Sequence, residues 1–347
     1  MILALAHTGN ASSVHADGRQ ARARVEEARR QVAVLVGCAP RAVVFTAGGT
    51  EANNLALSGL PDRRRLVSAG EHESVLQVDP AAQHLPLTAD GRLDLVGLEA
   101  ALAEGPPALV SLMLANNETG VLQPIAEAAD LVHAAGGLLH VDAVQGAGRL
   151  PLDREAPGAD LLTLSAHKIG GPQGVGALIV RDGLDLRPLL RGGGQELRRR
   201  AGTENVAGIV GFGAAAAAAA EDWQAMAAVA ALRDEMETRL RALSAEVVIF
   251  GASAPRLPNT CCFALPGVTA EVALAALDLA GIALSSGSAC SSGKVQPSHV
   301  LMAMGVAEGL ARRALRASLG LGSTVAEVDR FVAAVRQLLD RRRTLAA

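Results

Sequence analysis

The chain has 347 residues, half of them hydrophobic, and its formal net charge at pH 7 is −3. A chain of this length exceeds what one hydrophobic core usually holds, so we expect two domains. The charge balance provides no basic surface for nucleic acid or for an anionic membrane. The longest apolar run, residues 209–220, is shorter than the roughly 20 residues that a membrane-spanning helix needs.

The cysteine content indicates a reducing compartment. The four cysteines, Cys38, Cys261, Cys262 and Cys290, have no metal-ligand spacing, which is typical of reduced thiols. The first residues also lack the basic leader of a signal peptide. We therefore expect a cytoplasmic protein. Cys261 and Cys262 lie inside an apolar run and are predicted to be core residues.

Alternating helices and short apolar runs predict an α/β domain with a mostly parallel sheet. Glycine and proline end an amphipathic helix predicted over residues 19–36. The predicted strands are residues 43–46, 65–68, 108–114, 138–141, 161–164 and 176–180, the last at a sheet edge, with helices at 50–57, 95–103 and 125–135.

From residue 206 the composition changes to an alanine-rich helical region, which reads as a close-packed helix and not as a linker. Apolar runs at 247–250 and 260–265 follow, with helices at 270–279 and 325–339. We place the domain boundary inside the long helix. The prediction is a large domain of residues 1–224 and a small domain of residues 225–347.

The segment Ser165–Gly171 combines a lysine, Lys168, with the end of an apolar run and a glycine turn. Open α/β sheets place their chemistry at strand ends of this kind. Asp142 ends the preceding apolar run. A lysine that can form a Schiff base and an aspartate that can pair with a ring nitrogen are the minimum that pyridoxal phosphate needs. A buried Lys–Asp ion pair between two strands would explain the same pattern.

Other strand ends also carry polar residues. Gly49 and Thr50 follow one strand, where free N–H groups can bind a phosphate or a threonine can simply cap a helix. His72 could cover a flat ring or lie in a solvated loop, and Asn117 could bind a ring hydroxyl or form a turn. With Asp142, Gln145, Ser165, His167 and Lys168, five strand ends carry such groups. Their coincidence favours one cofactor site.

Two further residues lie in the last quarter of the chain. Cys290 lies at the tip of a serine- and glycine-rich loop, residues 284–294, which can move. It is either an exposed reactive thiol or an ordinary surface cysteine. Arg316 lies in a short apolar run, where it can bind a substrate carboxylate or an internal carboxylate.

Taken together, these motifs closely resemble a cysteine desulfurase of the NifS/IscS type, in the class V pyridoxal-phosphate-dependent aminotransferase family. The matching segments are residues 9–15, 45–54, 71–72, 116–118, 140–145, 165–171, 202–205, 285–290 and 316–320. The resemblance implies a fold-type I transferase, with a mostly parallel seven-stranded sheet in the large domain and a smaller α+β C-terminal domain. It also implies a homodimer.

The family's reaction turns L-cysteine into L-alanine and leaves the sulfur on a cysteine as a persulfide. The sulfur then passes to an acceptor protein such as an iron–sulfur scaffold.

The resemblance also assigns roles. Lys168 would hold pyridoxal 5'-phosphate, Asp142 would pair with its ring nitrogen, and Cys290 would be the nucleophile. His72 would stack on the ring and act as an acid–base group. Asn117 and Gln145 would bind the ring hydroxyl, and Asn117 and Arg316 would bind the substrate. The phosphate would be held by Gly49, Thr50, Ser165, His167 and the partner subunit's Thr203.

One segment departs from the family. Its members usually begin with a strand and a Leu-Asp-x-x-Ala-Thr-Thr-Pro-like segment before the Gly9-Asn10 motif, and that segment is absent from this sequence. We expect reduced activity as a consequence. Two alternative functions remain open at this stage, another class V enzyme such as a selenocysteine lyase, and a weakly active scaffold.

Overall fold

The computed structural model describes residues 1–6, 9–287 and 296–346. These residues form two compact units. The first unit comprises Met1–Leu85, Asp94–Leu114 and Gln123–Trp223, and the second comprises Pro86–Leu93, Ala115–Leu122 and Gln224–Ala347. Among the described helices, none is both long enough and apolar enough to cross a bilayer.

The first unit contains one sheet, and helices alternate with most of its strands along the chain. Its elements, in chain order, are α1 (Ile2–Leu5), α2 (Ala16–Val36), β1 (Val43–Thr46), α3 (Gly49–Ser58), β2 (Arg64–Ser68), α4 (Glu73–Leu76), β3 (Gln83–Leu85), α5 (Leu95–Ala103), β4 (Ala108–Met113), α6 (Ile125–Ala134), β5 (Leu138–Asp142), α7 (Leu152–Glu155), β6 (Leu161–Ser165), β7 (Gly176–Val180) and α8 (Val206–Asp222).

The strands of this unit form a seven-stranded sheet in the order β1-β7-β6-β5-β4-β2-β3. The pairs from β3 across to β6 are parallel, and β7 is antiparallel to both of its neighbours. Every residue of β4, β5 and β6 is buried. Strands covered on both faces need such continuous apolar runs, which is why the sequence shows them without alternation.

The position predicted for β7 is wrong. Residues 176–180 were expected at a sheet edge, but β7 lies between β1 and β6, and β1 forms the edge. The connection from β6 to β7 is short and contains no crossover helix, so β7 returns antiparallel beside β6. The strand β3, only three residues long, has no clear sequence signal.

Helices α2 and α8 pack against each other in the first unit. A Cβ at Gly213 of α8 would lie 2.6 Å from the Cα of Ala28 in α2, so glycine allows this close approach. The alanine-rich segment is therefore a packed helix, as predicted. It does not continue as one long helix, because α8 ends at Asp222 and a 3₁₀ turn, Trp223–Ala225, follows.

The second unit contains α9 (Met226–Leu243), β8 (Val248–Ile249), β9 (Thr260–Ala264), α10 (Ala270–Leu279), β10 (Ser285–Ser286), α11 (His299–Ala303), α12 (Glu308–Ala311), β11 (Ala314–Ser318) and α13 (Val325–Ala346). Its strands form an antiparallel sheet in the order β10-β11-β9-β8. Phe263 of β9 and Phe331 of α13 meet edge to face in its core, with ring centroids 6.0 Å apart.

Two earlier stretches of the chain belong to this second unit, which the sequence did not indicate. The Leu122 N–H donates to the Pro255 carbonyl at 2.8 Å, and the Leu257 N–H donates to the Gly120 carbonyl at 2.7 Å. Val121, between these bonds, is fully buried. Long-range pairing of this kind has no local sequence signature.

A buried ion pair fastens the segment before α8 to the sheet. Both terminal nitrogens of Arg29 donate to the Glu196 carboxylate, at 2.8 and 2.9 Å, and the Phe45 N–H of β1 donates to it at 2.9 Å. Glu196 begins a run of three non-glycine residues with positive φ, from 45° to 66°. Such backbone is strained and persists only where its surroundings hold it.

We expect the Glu196→Ala substitution to lower the free energy of unfolding by about 3–5 kcal/mol, because it removes the buried carboxylate of the Arg29 pair and leaves only the more exposed Glu26 as an acidic partner. The matched control is Asp182→Ala, which breaks the exposed Arg41–Asp182 pair and should have a much smaller effect. Urea denaturation of both variants measures the difference. An equal decrease in the free energy of unfolding for both variants would show that the buried Glu196 pair does not stabilise the fold more than an exposed pair does.

Candidate active site

The ends of β1 and β6 are brought together through one glycine of β7. Thr46 of β1 and Ser165 of β6 both pair with Gly176, from opposite sides. A Cβ at Gly176 would lie 2.6 Å from the Gly48 carbonyl carbon and 2.7 Å from the Leu164 oxygen, distances that no side chain tolerates. Glycine at this position lets the start of α3 approach the end of β6.

Helix α3 begins at this point with an uncapped N-terminus. No side chain caps its first turn, and a Cβ at Gly49 would lie 3.5 Å from the Ser165 Cβ. The Ser165 hydroxyl is 2.9 Å from Nδ1 of His167. Thr50, the next residue of the helix, is exposed. Free N–H groups, the helix dipole and nearby hydroxyls together suit an anion such as a phosphate.

Asp142, the last residue of β5, is a buried carboxylate with two hydrogen-bond donors. Its Oδ1 accepts from the Val144 N–H at 3.0 Å, and its Oδ2 accepts from the Asn53 amide at 2.8 Å. Burial raises the pKa of Asp142, while the Asn53 and Val144 donors and the charges of His72 and Lys168 oppose that rise. A charged partner above Asp142 would complete the compensation.

His72 caps the short helix α4. Its Nδ1 accepts from the Ser74 N–H at 3.1 Å and lies 2.9 Å from the Ser74 hydroxyl. Because Nδ1 accepts a hydrogen bond from a backbone N–H, the neutral ring carries its proton on Nε2. Asn53 also donates to the Ser74 hydroxyl, at 2.9 Å. One hydrogen-bond network therefore joins Asp142, Asn53, Ser74 and His72.

Lys168 lies in the 3₁₀ turn that follows β6, and its side chain is exposed. Its charge acts on both Asp142 and His167, so the amine lies near these residues. Burial and the Lys168 charge lower the pKa of His167. The exposure of Lys168 argues against the alternative of a buried Lys–Asp pair that only closes two strands.

Arg149 joins the two loops that carry Gln145 and Lys168. Its guanidinium donates to the Gln145 carbonyl at 2.7 Å and to the Lys168 carbonyl at 3.2 Å. The loops follow the neighbouring strands β5 and β6. Arg149 therefore holds the backbone of the lysine turn against the loop of Gln145.

The second unit contains two more of the sequence-predicted residues. Arg316 in β11 donates from Nη1 to the Asn117 carbonyl at 2.6 Å. Its Nε–H is buried and has no hydrogen-bond partner within the described part of the chain. A partly buried guanidinium with an unused, buried Nε–H suits a carboxylate ligand.

Glu118, beside Asn117, is a buried carboxyl that the sequence did not single out. It is 3% exposed and accepts a hydrogen bond from the Ser298 hydroxyl. Burial raises its pKa to about 7, and Ser298, His299 and Arg316 oppose that rise. Asn116 shapes the same turn, because its side-chain oxygen accepts from the N–H groups of Glu118 and Thr119.

The structure describes three of the four cysteines, and none of them is a ready nucleophile. Cys261 and Cys262 are fully buried in β9, the core position that the sequence predicted. Burial raises the pKa of both thiols, and it raises the pKa of the half-buried Cys38 to about 11. Cys290 lies outside the described residues.

The first unit thus gathers Gly49, His72, Asp142, Ser165, His167 and Lys168 at one group of strand ends, with Gln145 attached through Arg149. Thr203 is an exposed residue of the same unit, whereas Asn117 and Arg316 belong to the second unit. Sequence reasoning missed Asn53, Ser74 and Arg149. The available signal for Asn53 was a polar residue one turn into α3, on the face of Gly49.

Comparisons with known proteins identify the family. The class V aminotransferase profile matches residues 3–331. A cysteine desulfurase from Cereibacter sphaeroides is 43% identical over 351 aligned positions, which cover 97% of this chain and 90% of the relative. The chain belongs to the class V aminotransferase family, in its cysteine desulfurase group.

Solved structures agree with this assignment. The X-ray structure of a NifS-like protein from Rickettsia africae ESF-5 matches with a TM-score of 0.91 and 36% identity, and covers 98% of this chain and 94% of that one. SspA in complex with cysteine matches with a TM-score of 0.76 and 30% identity, over 90% and 91% of the two chains. The predicted family, fold class and enzyme class are confirmed.

Class V aminotransferases are pyridoxal phosphate enzymes, which confirms the predicted cofactor. The first unit of this desulfurase also fits the cofactor by its donor set. The uncapped α3 with Ser165 suits the phosphate, the buried Asp142 carboxylate suits a protonated ring nitrogen, and the amine of Lys168 suits the aldehyde. The phosphate, the ring nitrogen and the aldehyde of the cofactor thus each have a complementary group near the same strand ends.

A second buried carboxyl, Glu71, lies beside Asp142. It is fully buried, and its Oε1 accepts from the Met113 N–H at 2.6 Å. Burial, followed by repulsion from Asp142, raises the pKa of Glu71 well above its usual value of 4.5. An acid whose pKa is raised in the folded state is held in its neutral form, and ionising it destabilises the fold.

We therefore expect Glu71→Gln to be more stable than the wild type at pH 8. The advantage should shrink as the pH falls toward 4.5, where Glu71 is protonated in both the folded and the unfolded chain. Urea midpoints at pH 5 and pH 8 test this, with the exposed Glu73→Gln as control. A Glu71→Gln variant that is less stable at pH 8 would contradict the assignment.

Proposed function

We propose that this desulfurase converts L-cysteine to L-alanine and leaves the sulfur on Cys290 as a persulfide. The observation that carries the proposal is the set of groups around Asp142 in the first unit. A buried carboxylate, a nearby exposed amine and an uncapped helix end lie at neighbouring strand ends. The relatives named cysteine desulfurase, and the SspA structure that contains cysteine, support the choice of substrate.

In this proposal Lys168 holds the cofactor aldehyde, and Asp142 pairs with the ring nitrogen. His72 covers the ring, while Gln145 and Asn117 bind its hydroxyl. Gly49, Thr50, Ser165 and His167 hold the phosphate, and the partner subunit's Thr203 adds a donor. When bound, pyridoxal phosphate supplies an electron sink that weakens the bonds at the α-carbon of the amino acid.

The remaining chemistry belongs to side chains of this chain. Arg316 binds the carboxylate of L-cysteine through its free Nε–H, which fixes the amino acid for reaction. The Lys168 amine takes the proton from the α-carbon and returns one later. His72, with its proton on Nε2, is the second acid–base group of the proposal.

The sulfur transfer is a nucleophilic displacement. The Cys290 thiolate attacks the substrate sulfur, so an S–S bond forms and the C–S bond breaks. The electron pair of the C–S bond stays with the carbon skeleton, which takes up protons and leaves as alanine. Only a thiolate can attack in this way. The raised pKa values of the three other cysteines support Cys290 as the nucleophile.

The proposal includes three features of the cellular setting. The protein acts as a homodimer, as the family resemblance implies, and Thr203 of the partner subunit reaches the phosphate site. The persulfide passes to an acceptor protein, of which an iron–sulfur scaffold is one example. The reduced cysteines of the sequence support a cytoplasmic location.

The covalent anchor can be tested sharply, because the chain has only two lysines, Lys168 and Lys294. We expect Lys168→Ala to lose the visible absorption band of the bound cofactor, and Lys294→Ala to keep it. Borohydride reduction followed by peptide mass spectrometry should find the cofactor on Lys168 alone. A cofactor trapped on Lys294 would refute the lysine assignment.

The same assay tests the nucleophile. Cys290→Ser should keep the visible band and bind L-cysteine, yet form neither alanine nor a persulfide, because no thiolate can take the sulfur. Cys38→Ser is the matched control and should turn over normally. A persulfide on Cys261 or Cys262 in the Cys290→Ser protein would show that the nucleophile is a different cysteine.

The phosphate cradle makes a separate prediction. Thr50→Val keeps the shape of the side chain and removes its hydroxyl, so the affinity for pyridoxal phosphate should fall about tenfold. The affinity for pyridoxal, which lacks the phosphate, should not change. Spectroscopic titration of the apo-protein with both ligands measures this. Equal losses for both ligands would place Thr50 away from the phosphate.

A further inference from the structure

Asn53 is a buried amide that uses both of its N–H groups at the centre of the site. It lies on α3 and is 1% exposed. Its Nδ2 donates to Asp142 at 2.8 Å and to the Ser74 hydroxyl at 2.9 Å. Its carbonyl oxygen is buried and has no hydrogen-bond partner among the residues that the structure describes. The amide therefore acts here only as a donor.

The orientation of this amide follows from electrostatics. The Asp142 carboxylate can only accept, so the amide nitrogen, and not its oxygen, must face it. The second N–H then points at Ser74. Because the Ser74 hydroxyl accepts from Asn53, its own proton is free to go to Nδ1 of His72, 2.9 Å away. The donor direction runs from Asn53 to Ser74 and from Ser74 to His72.

The cofactor chemistry needs Asp142 charged and His72 in one tautomer. The titratable groups that act on Asp142 in the described structure are Glu71, His72 and Lys168. Burial raises the pKa of Asp142, and the hydrogen bond from Asn53 is the largest effect that lowers it. Without this donor, the carboxylate would compete with the ring nitrogen for its proton.

We propose that Asn53 is a positioning residue that holds the proton on the cofactor's ring nitrogen through Asp142 and directs the Ser74 hydroxyl proton to Nδ1 of His72. The inference rests on the proposed function, since it assigns Asp142 to the ring nitrogen. It adds one residue that acts both on Asp142 and on the hydrogen bond between Ser74 and His72. Asn53 itself touches neither substrate nor reacting atoms.

The first experiment reads the ring nitrogen directly. The protein is loaded with pyridoxal phosphate labelled with ¹⁵N in the ring, and its NMR resonance is followed with pH. In Asn53→Leu, which keeps the number and branching of the side-chain heavy atoms and removes the donors, the resonance at pH 7.5 should move toward its unprotonated position, and cofactor affinity should fall about tenfold. A fully protonated ring nitrogen in Asn53→Leu would overturn the proposal.

Asn54→Leu is the matched control. The Asn54 amide donates to the carbonyls of Thr50 and Ser74 and not to Asp142. The same chemical change one residue along the helix should therefore leave the ring nitrogen protonated. A shift of equal size in both variants would point to a general disturbance of α3 and would also overturn the proposal.

The second experiment needs no cofactor and uses the milder Ser74→Ala variant. In apo-protein with ¹⁵N-labelled histidine, the Nδ1 resonance of His72, assigned with His72→Gln, should move downfield when the Ser74 hydroxyl is lost. The cofactor's ring nitrogen should stay protonated in the same variant. An unchanged His72 spectrum would refute the Ser74 step.

The two failures are distinguishable. A wild-type protein that binds no pyridoxal phosphate would refute the proposed function. A wild-type protein that binds it normally, with the ring nitrogen still protonated in Asn53→Leu and the His72 resonance unchanged in Ser74→Ala, would refute the Asn53 proposal alone.

Discussion

The site depends on one buried carboxylate, that of Asp142, which must carry charge where water cannot reach it. Burial disfavours that charge, and the surrounding groups oppose the effect from several directions. Asn53 and the Val144 N–H donate to it, and the charges of His72 and Lys168 act on it. In the proposed function, a protonated ring nitrogen would complete the compensation when the cofactor binds. The carboxylate is thus prepared for a cation before that cation arrives, which is how a protein orients a cofactor without large rearrangement.

The constraint that makes this arrangement possible lies in the backbone. Because Gly176 of β7 pairs with both Thr46 and Ser165, the strands β1 and β6 end at the same level on either side of β7, and α3 starts against the end of β6. The same helix carries Asn53 to Asp142 one turn later. The uncapped helix start that the proposed phosphate site uses and the Asn53 donor to Asp142 therefore belong to one helix. A displacement of α3 would disturb both, so the close packing that Gly176 permits has a functional consequence as well as a structural one.

Much of the fold could be predicted, because buried parallel strands are continuous apolar runs and their ends carry the polar residues. Asp142, Lys168 and Ser165 stood out for that reason. The placement of β7 could not be predicted, since sheet order depends on connections and not on local propensity. Asn53 was missed because it reaches Asp142 from another element, 89 positions away in sequence. Ser74 was missed although it lies two positions from His72, because a serine in the first turn of a helix does not show which side chain its hydroxyl contacts. The stretches that join the second unit are held by long-range backbone bonds, which leave no pattern in the sequence.

The small numbers of lysines and cysteines limit which reactions this chain can catalyse, and the fold alone does not set that limit. The chain has only two lysines, so only two lysine amines are available to lie near a buried aspartate. Lys168 is the lysine whose charge acts on Asp142 and His167. The cysteines also differ in how well they can act. Burial makes Cys38, Cys261 and Cys262 poor thiolates, so sulfur held on any of them would be chemically unfavourable. A fold-type I scaffold supports many reactions of amino acids. In this chain Lys168 supplies the amine near Asp142, and Cys290 is the one cysteine whose thiol is not described as buried or half-buried. This combination favours sulfur transfer over transamination, because a transaminase has no use for that thiol.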